Sequence, residues 1–386
     1  MMEYQAIIIG GGYFGCSISL HLARAGVRTL LLDKGEIGSG ASGANFGNVQ
    51  VQDCNMGLSY ELTLRGFERM RHIEAELGME IGYRPQPSLI GAEKEAHIPE
   101  LRKLYEEKKE AGLDIRWLEG QQISELEPNL KPGAVLAATY FEQGSVYPFR
   151  YLYAMVKAAR SYGLTVLENA PVDALLLEGG ACKGALLRGG QTLRAEHVVV
   201  AAGAGTRALC LGAGLDVPVY SVKAEGLVTE PLKPFLRTYY SSAAFFAEAH
   251  SQECAATTLC IGQSHYGNLL IAETTKPHQW VDAAYQDTTS LEHVRNIRKR
   301  LFTFFPVLKD IQVLRSWVTA SPYTDSCEPA LGESPVPGLI LASGFKSAVI
   351  LSAVAGEIVK DIVCKGKSEY DLAPFISQVG AVVSSE

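Results

Sequence analysis

Ala6-Ile7-Ile8-Ile9-Gly10-Gly11-Gly12-Tyr13-Phe14-Gly15, an amphipathic stretch, and then Leu30-Leu31-Leu32-Asp33 form the part of this 386-residue chain that decides its fold. Four β-formers run into a glycine turn. Phe14, Ile18 and Leu22 then recur at i, i+4 and i+8, which predicts a helix, and a second apolar run follows. The order is that of a βαβ dinucleotide-binding unit. Gly10 permits the tight turn, Gly12 lets the backbone approach a pyrophosphate, and Gly15 lets helix and strand pack closely. The phosphates are expected on the unpaired N–H groups of the helix start, around Tyr13 and Phe14. Asp33, with Lys34 beside it, ends the second apolar run, where a carboxylate accepts from an adenosine ribose and repels a 2′-phosphate.

Composition bounds the rest. With 47% hydrophobic residues the chain can bury a large core, and its length suits two or three domains' worth of structure. A net charge of −7 and the lack of a basic run interleaved with aromatics argue against nucleic acid. The eight cysteines form no CxxC, so neither a zinc site nor an iron–sulfur cluster is expected, and no metal is assigned. No transmembrane segment is evident. The apolar N-terminus lacks the basic region of a signal peptide and is broken by glycines, so a cytoplasmic protein is expected.

Three further segments bear on the cofactor. Residues 35–48 form a small-residue loop in which Ser39, Ala41, Ser42, Asn45, Gly47 and Asn48 can wrap a second side of a pyrophosphate. Val198-Val199-Val200-Ala201-Ala202-Gly203 reads as a strand returning to the same sheet, with its turn beneath the cofactor. Leu339-Ile340-Leu341-Ala342-Ser343-Gly344-Phe345-Lys346-Ser347 leads into a long apolar helix over 348–363, whose N-terminus suits the negative charge of a reduced flavin. Val172, opening a strand-like run, completes the cofactor set. Other helices are expected over 60–77, 99–111, 149–162 and 290–304, and other strands over 165–167, 184–187, 226–229 and 269–272.

These segments, in this order, resemble the D-amino-acid oxidase superfamily of FAD enzymes. Within it, residues 42–52 and 261–271 are most similar to the β subunits of opine oxidase, proline and hydroxyproline dehydrogenases, hydrogen cyanide synthase and heterotetrameric sarcosine oxidase, and to glycine oxidase. The resemblance implies an α/β fold: a Rossmann-like FAD-binding domain with an inserted α+β substrate domain built on an antiparallel sheet. Its expected limits are 1–80, 145–215 and 325–386 for the first, and 81–144 and 216–324 for the second. It implies FAD and oxidation of the C–N bond of a small amino acid, imino acid or N-substituted amino acid, by hydride transfer to flavin N5. Two alternatives stay open. One is a flavin-carrying subunit dependent on a partner subunit, or assembled as a homo-oligomer; the other is a hydroxy-acid or glycerophosphate oxidoreductase.

The catalytic half departs from the family pattern. Ser321 stands where relatives often place an arginine, Lys223-Ala224-Glu225 replaces Arg-Gly-Gln, and Val349 replaces a glycine. A substrate carboxylate therefore needs another cation, and Lys346 and Lys223 are the candidates. Tyr240 and His265 can supply hydrogen bonds, and Gln50 is expected to approach the flavin ring. Trp317 reads as core packing.

Overall fold

The computed structural model describes residues 3–244, 258–274 and 289–381. The strand Tyr4–Ile9 lies between Thr29–Leu32 and Thr192–Val200, parallel to both, with Ile7 opposite Leu30 on one side and Val198 on the other. Thr165–Leu167 and Leu339–Ser343 extend this parallel sheet outward, and Ala330–Glu333 closes one edge antiparallel. Ile7, Ile8, Leu30, Leu31, Val198 and Val199 are fully buried. Strands covered on both faces need such continuous apolar runs.

One face of the sheet carries the helices Tyr13–Arg24, Pro148–Arg160 and Ala348–Lys365. The first and last approach closely because Gly356 has no side chain: a Cβ there would run into His21 and Ser17. Ser17 seals the crossing by donating to the Ser352 carbonyl at 2.6 Å. The expected helix over 60–77 is instead two, Leu58–Met70 and Ile73–Leu77. The turn at Arg71 and His72 redirects the chain so that Ile73 and Leu77 join Met70 in the same core.

A second sheet runs in the order Val313–Thr324, Val219–Pro231, Asn268–Thr274, Thr258–Gln263, Tyr239–Ser242, Ser88–Ala92, Ala137–Phe141, Arg116–Glu119. It is antiparallel except where Tyr239–Ser242 runs parallel to Ser88–Ala92. The helix Leu291–Phe304 covers one face, burying Ile297, Leu301 and Phe304 against Leu227, Leu259, Ile261, Leu269 and Ile271. The other face is left for the site. A small three-stranded sheet, Asn48–Val49, Gly144–Ser145 and Arg84–Pro85, lies beside the loop that follows Asp33. Among the described residues no helix is long and apolar enough to cross a membrane.

Candidate active site

The glycine turn forms a cradle that side chains would fill. Gly10 has a φ of +112°, and a Cβ there would strike the Ala201 carbonyl; a Cβ on Gly15 would overlap the carbonyl oxygen of Gly10. At Gly12 a Cβ would meet only the Ser42 hydroxyl, at 2.8 Å, so that side of the turn is open. Ser42 accepts from the Tyr13 amide at 3.1 Å and so brings the 35–48 loop over the helix start. Asp33 ends its strand with both carboxylate oxygens on backbone amides, Gly11 at 2.6 Å and Gly35 at 2.8 Å, which holds the turn beside it. The amides of Asn169 and Ala170 bond the carbonyls of Gly35 and Asp33, which brings Val172 alongside; Lys34 is exposed. Across the cradle, Ser343 donates to the Gly203 carbonyl at 3.2 Å and accepts from Thr206, joining the turn after Ala202 to the segment that enters the last helix. There Gly344 has a φ of +78°, and the Phe345 ring stacks on Phe14 with centroids 3.4 Å apart.

On its other side the 35–48 loop faces a cavity of about 410 Å³. Strand alternation sets which side chains reach it, since residues directly opposite in a sheet share a face. Trp317 pairs with Gly226, Thr319 with Ala224, and Val228 with both Arg315 and Leu270. These lie on the face away from the helix, and Trp317, Thr319, Val228, Arg315 and Leu270 line the cavity. A Cβ on Gly226 would enter the Trp317 indole, so the ring lies flat across that glycine. Phe46 meets Trp317 and Tyr239 edge-on, each with centroids 6.0 Å apart. Arg84, Arg315 and His265 are charged or titratable members of the lining. Burial, with Arg84 and Arg150 nearby, pushes the His265 imidazole below its ordinary range, which favours the neutral ring.

A buried charged pair lies under the start of the last helix. Lys346 Nζ donates to the Asp53 carbonyl at 2.6 Å and stands 3.9 Å from its carboxylate, with 11% and 6% of the two side chains exposed. Burial pushes the Asp53 carboxyl above the ordinary aspartate range, against the pull of Lys346, Lys108 and the Gln50 amide. Asp53 Oδ1, Ser347 Oγ and Asn48 Nδ2 are buried without a hydrogen-bond partner.

A family model described as FAD dependent oxidoreductase matches residues 5–362. The chain belongs to this FAD-dependent oxidoreductase family. It is 28% identical over 371 residues to glycine oxidase of Bacillus licheniformis, across 94% of this chain and 93% of the relative. It is 23% identical over 381 residues to the β subunit of sarcosine oxidase of Rhodobacter capsulatus, across 95% of this chain and 86% of the relative. The crystal structure of glycine oxidase from Geobacillus kaustophilus superposes with a TM-score of 0.84 at 28% identity, covering 97% of this chain and 98% of that one.

The family's cofactor fits what the residues offer. The glycine cradle leaves room where a pyrophosphate would approach Gly12, and Ser347 Oγ and Asn48 Nδ2 are polar groups that burial leaves in want of a partner. Not every expected side chain faces that space. Tyr13 is buried against Tyr151, so what it offers a phosphate is its position at the helix start, not its phenol. Asn45 spends its carbonyl on the Gly47 amide, shaping the loop, and Ser39 and Ala41 lie on that loop's rim.

Two expected catalytic residues lie elsewhere. Lys223 is on the helix-covered face of the sheet, in alternation with Ala224, and its Nζ is 3.1 Å from buried Glu225, which His293 approaches equally closely. Tyr240 points the same way, packs on Phe304 and donates to Glu93 at 3.0 Å, while its neighbour Tyr239 lines the cavity. A shift of one residue along a strand reverses the face. Trp317, expected in the core, is cavity wall. Arg84 and Asp53 were not legible in advance: neither sits in a motif, and only the pairing of distant strands brings Arg84 to the site, while Asp53 is tied there by Lys346.

Proposed function

We propose that the chain oxidises the C–N bond of a small amino acid, imino acid or N-substituted amino acid. The observation that carries this reading is the junction of a dinucleotide cradle with a cavity of about 410 Å³ that is aromatic on one side and offers guanidinium, imidazole and amide groups on the other. A volume of that order suits a small organic substrate. The names of the two relatives, glycine oxidase and the β subunit of sarcosine oxidase, support an amine substrate.

FAD, when bound, supplies a two-electron acceptor; the rest falls to the chain. The helix Ala348–Lys365 directs its N-terminal amides toward the segment Gly344 to Ser347, and the positive end of its dipole favours an anion there. Lys346 keeps a cation in the same region, with Asp53 fixing its position. Phe46, Trp317 and Tyr239 exclude water from one wall, which strengthens every polar contact within the cavity. Neutral His265 can accept a proton at the rim.

The sarcosine oxidase relative is named as a subunit, and this favours a second reading in which electrons leave through a partner polypeptide. Anaerobic mixing of the yellow protein with a panel of amino, imino and hydroxy acids tests the assignment. Bleaching by an amino or imino acid is expected. Bleaching by hydroxy acids alone would overturn it. Peroxide release by the isolated chain at a rate matching dye reduction would remove the need for a partner.

A further inference from the structure

With serine at position 321 and Lys223 turned away, a substrate's carboxylate needs a different cation. Lys346 is already engaged with Asp53, and Lys223 faces the other side of the sheet. Arg84 differs from both, and also from Arg315, the other guanidinium of the lining, which is exposed where Arg84 is half-buried. Its Nε donates to the Ser145 hydroxyl at 3.2 Å and its Nη2 donates to the backbone carbonyl of Gln263, so both of these partners are neutral. The guanidinium is half-buried, and among the described residues no carboxylate lies within ion-pairing distance of it. Burial alone pulls it below the ordinary arginine range. A partly desolvated cation without a counter-ion costs free energy, which an incoming anion recovers.

Its position suits that use. Arg84, Ser145 and Asn48 lie opposite one another across the small three-stranded sheet, so their side chains share a face, and all three line the cavity. Two strand spacings put Arg84 about 10 Å from Asn48, measured between backbones. Ser145 and Gln263 clamp the orientation of the guanidinium. Among the described residues Nη1 makes no hydrogen bond, which leaves an edge that can bind a carboxylate by two parallel bonds. Gln263 is itself immobilised: its side-chain carbonyl accepts from the Phe235 and Leu236 amides, and its side-chain amide donates to the carbonyls of Leu232, Lys233 and Gly267.

We infer that Arg84 is the specificity-determining cation of this cavity, binding the carboxylate of the substrate in place of the arginine absent at position 321. This rests on the amino-acid reading above, but its test needs no turnover. The holoenzyme is titrated with anthranilate, an aromatic carboxylate suited to the Phe46 and Trp317 wall, and with uncharged anthranilamide, while the flavin absorbance spectrum is followed. Wild type should bind anthranilate and not anthranilamide. Arg84→Gln should weaken anthranilate by about tenfold or more with the flavin content unchanged, and Arg84→Lys should restore part of the loss, a charge without the fork. Equal anthranilate affinity in wild type and Arg84→Gln, or wild-type binding of the amide as tightly as the acid, would overturn it. So would the absence of anthranilate binding by wild type. If Arg84→Gln fails to fold, the comparison between wild type and Arg84→Lys decides in the same way. Tight, Arg84-dependent anthranilate binding by a protein that no amino or imino acid reduces would leave this assignment standing and remove the amino-acid reading.

Discussion

Gly12 and Gly15 look alike in a motif, yet the structure gives them different reasons to be glycine. At Gly15 an added methyl would overlap the Gly10 carbonyl, which cannot move without breaking the turn. Gly15→Ala should therefore destabilise the whole domain, by about 2 kcal/mol or more. At Gly12 a Cβ meets only the rotatable Ser42 side chain, and the open space beyond is where a pyrophosphate would approach. Gly12→Val should fold and purify colourless. Far-UV circular dichroism with flavin absorbance separates the two cases, and a folded, fully yellow Gly12→Val would refute this account of the turn. Lys223 supplies a third contrast. On the helix-covered face it compensates Glu225, only 2% exposed, so Lys223→Met should cost on the order of 2 kcal/mol in urea unfolding. Anthranilate affinity should stay at the wild-type value. A loss of affinity without a loss of stability would return Lys223 to the site.

At the scale of elements, four helices meet around Arg69. Its guanidinium hydrogen-bonds Glu76, His21 Nε2 and the Ala353 carbonyl, tying Leu58–Met70 to Ile73–Leu77, Tyr13–Arg24 and Ala348–Lys365. Burial raises the Glu76 carboxyl, but Arg69 and Arg24 outweigh it and hold the group at about 2. Burial, aided by Arg69, pushes His21 down to about 4. Both folded values lie below the unfolded ones. The His21 contribution is therefore complete above its ordinary 6.5 and is lost as pH falls toward 4; that of Glu76 is complete above 4.5 and is lost as pH falls toward 2. Urea midpoints should decline in two successive stages on acidification. Glu76→Gln should lower stability at neutral pH by about 2 kcal/mol and abolish the more acidic stage. An unaltered acid limb in that variant would show that the cluster does not govern it.

For the whole molecule, the cavity belongs to neither sheet alone. The 35–48 loop is anchored beside the first sheet through Asp33 and to the helix Tyr13–Arg24 through Ser42, while Trp317, Thr319 and Tyr239 belong to the second sheet. The small sheet that carries Asn48, Ser145 and Arg84 draws on three separate stretches of chain. A ligand held between them binds only when all are in place, so anthranilate should raise the thermal midpoint of the holoenzyme as a single transition. Two transitions that respond separately to anthranilate would contradict a shared site.

What the chain declares by itself is local in origin. The β-formers, the glycine turn and the terminal acid make a dinucleotide unit because each needs only near neighbours to express its geometry, and the same holds for the strand and helix around Gly344. A dinucleotide-binding unit was legible on those grounds, and its order with the later segments carried the resemblance that implied the α/β fold and FAD. The choice between Tyr239 and Tyr240, the facing of Lys223 and the exposure of Trp317 to a cavity were not. In a strand the side-chain period is two, so a face is set by which strand pairs with which and by what covers each side. Arg84 carries no local signal at all. Its importance comes from Ser145 and Gln263, 61 and 179 residues away, and from the lack of a paired carboxylate among the described residues, and these are settled only when the chain has closed on itself.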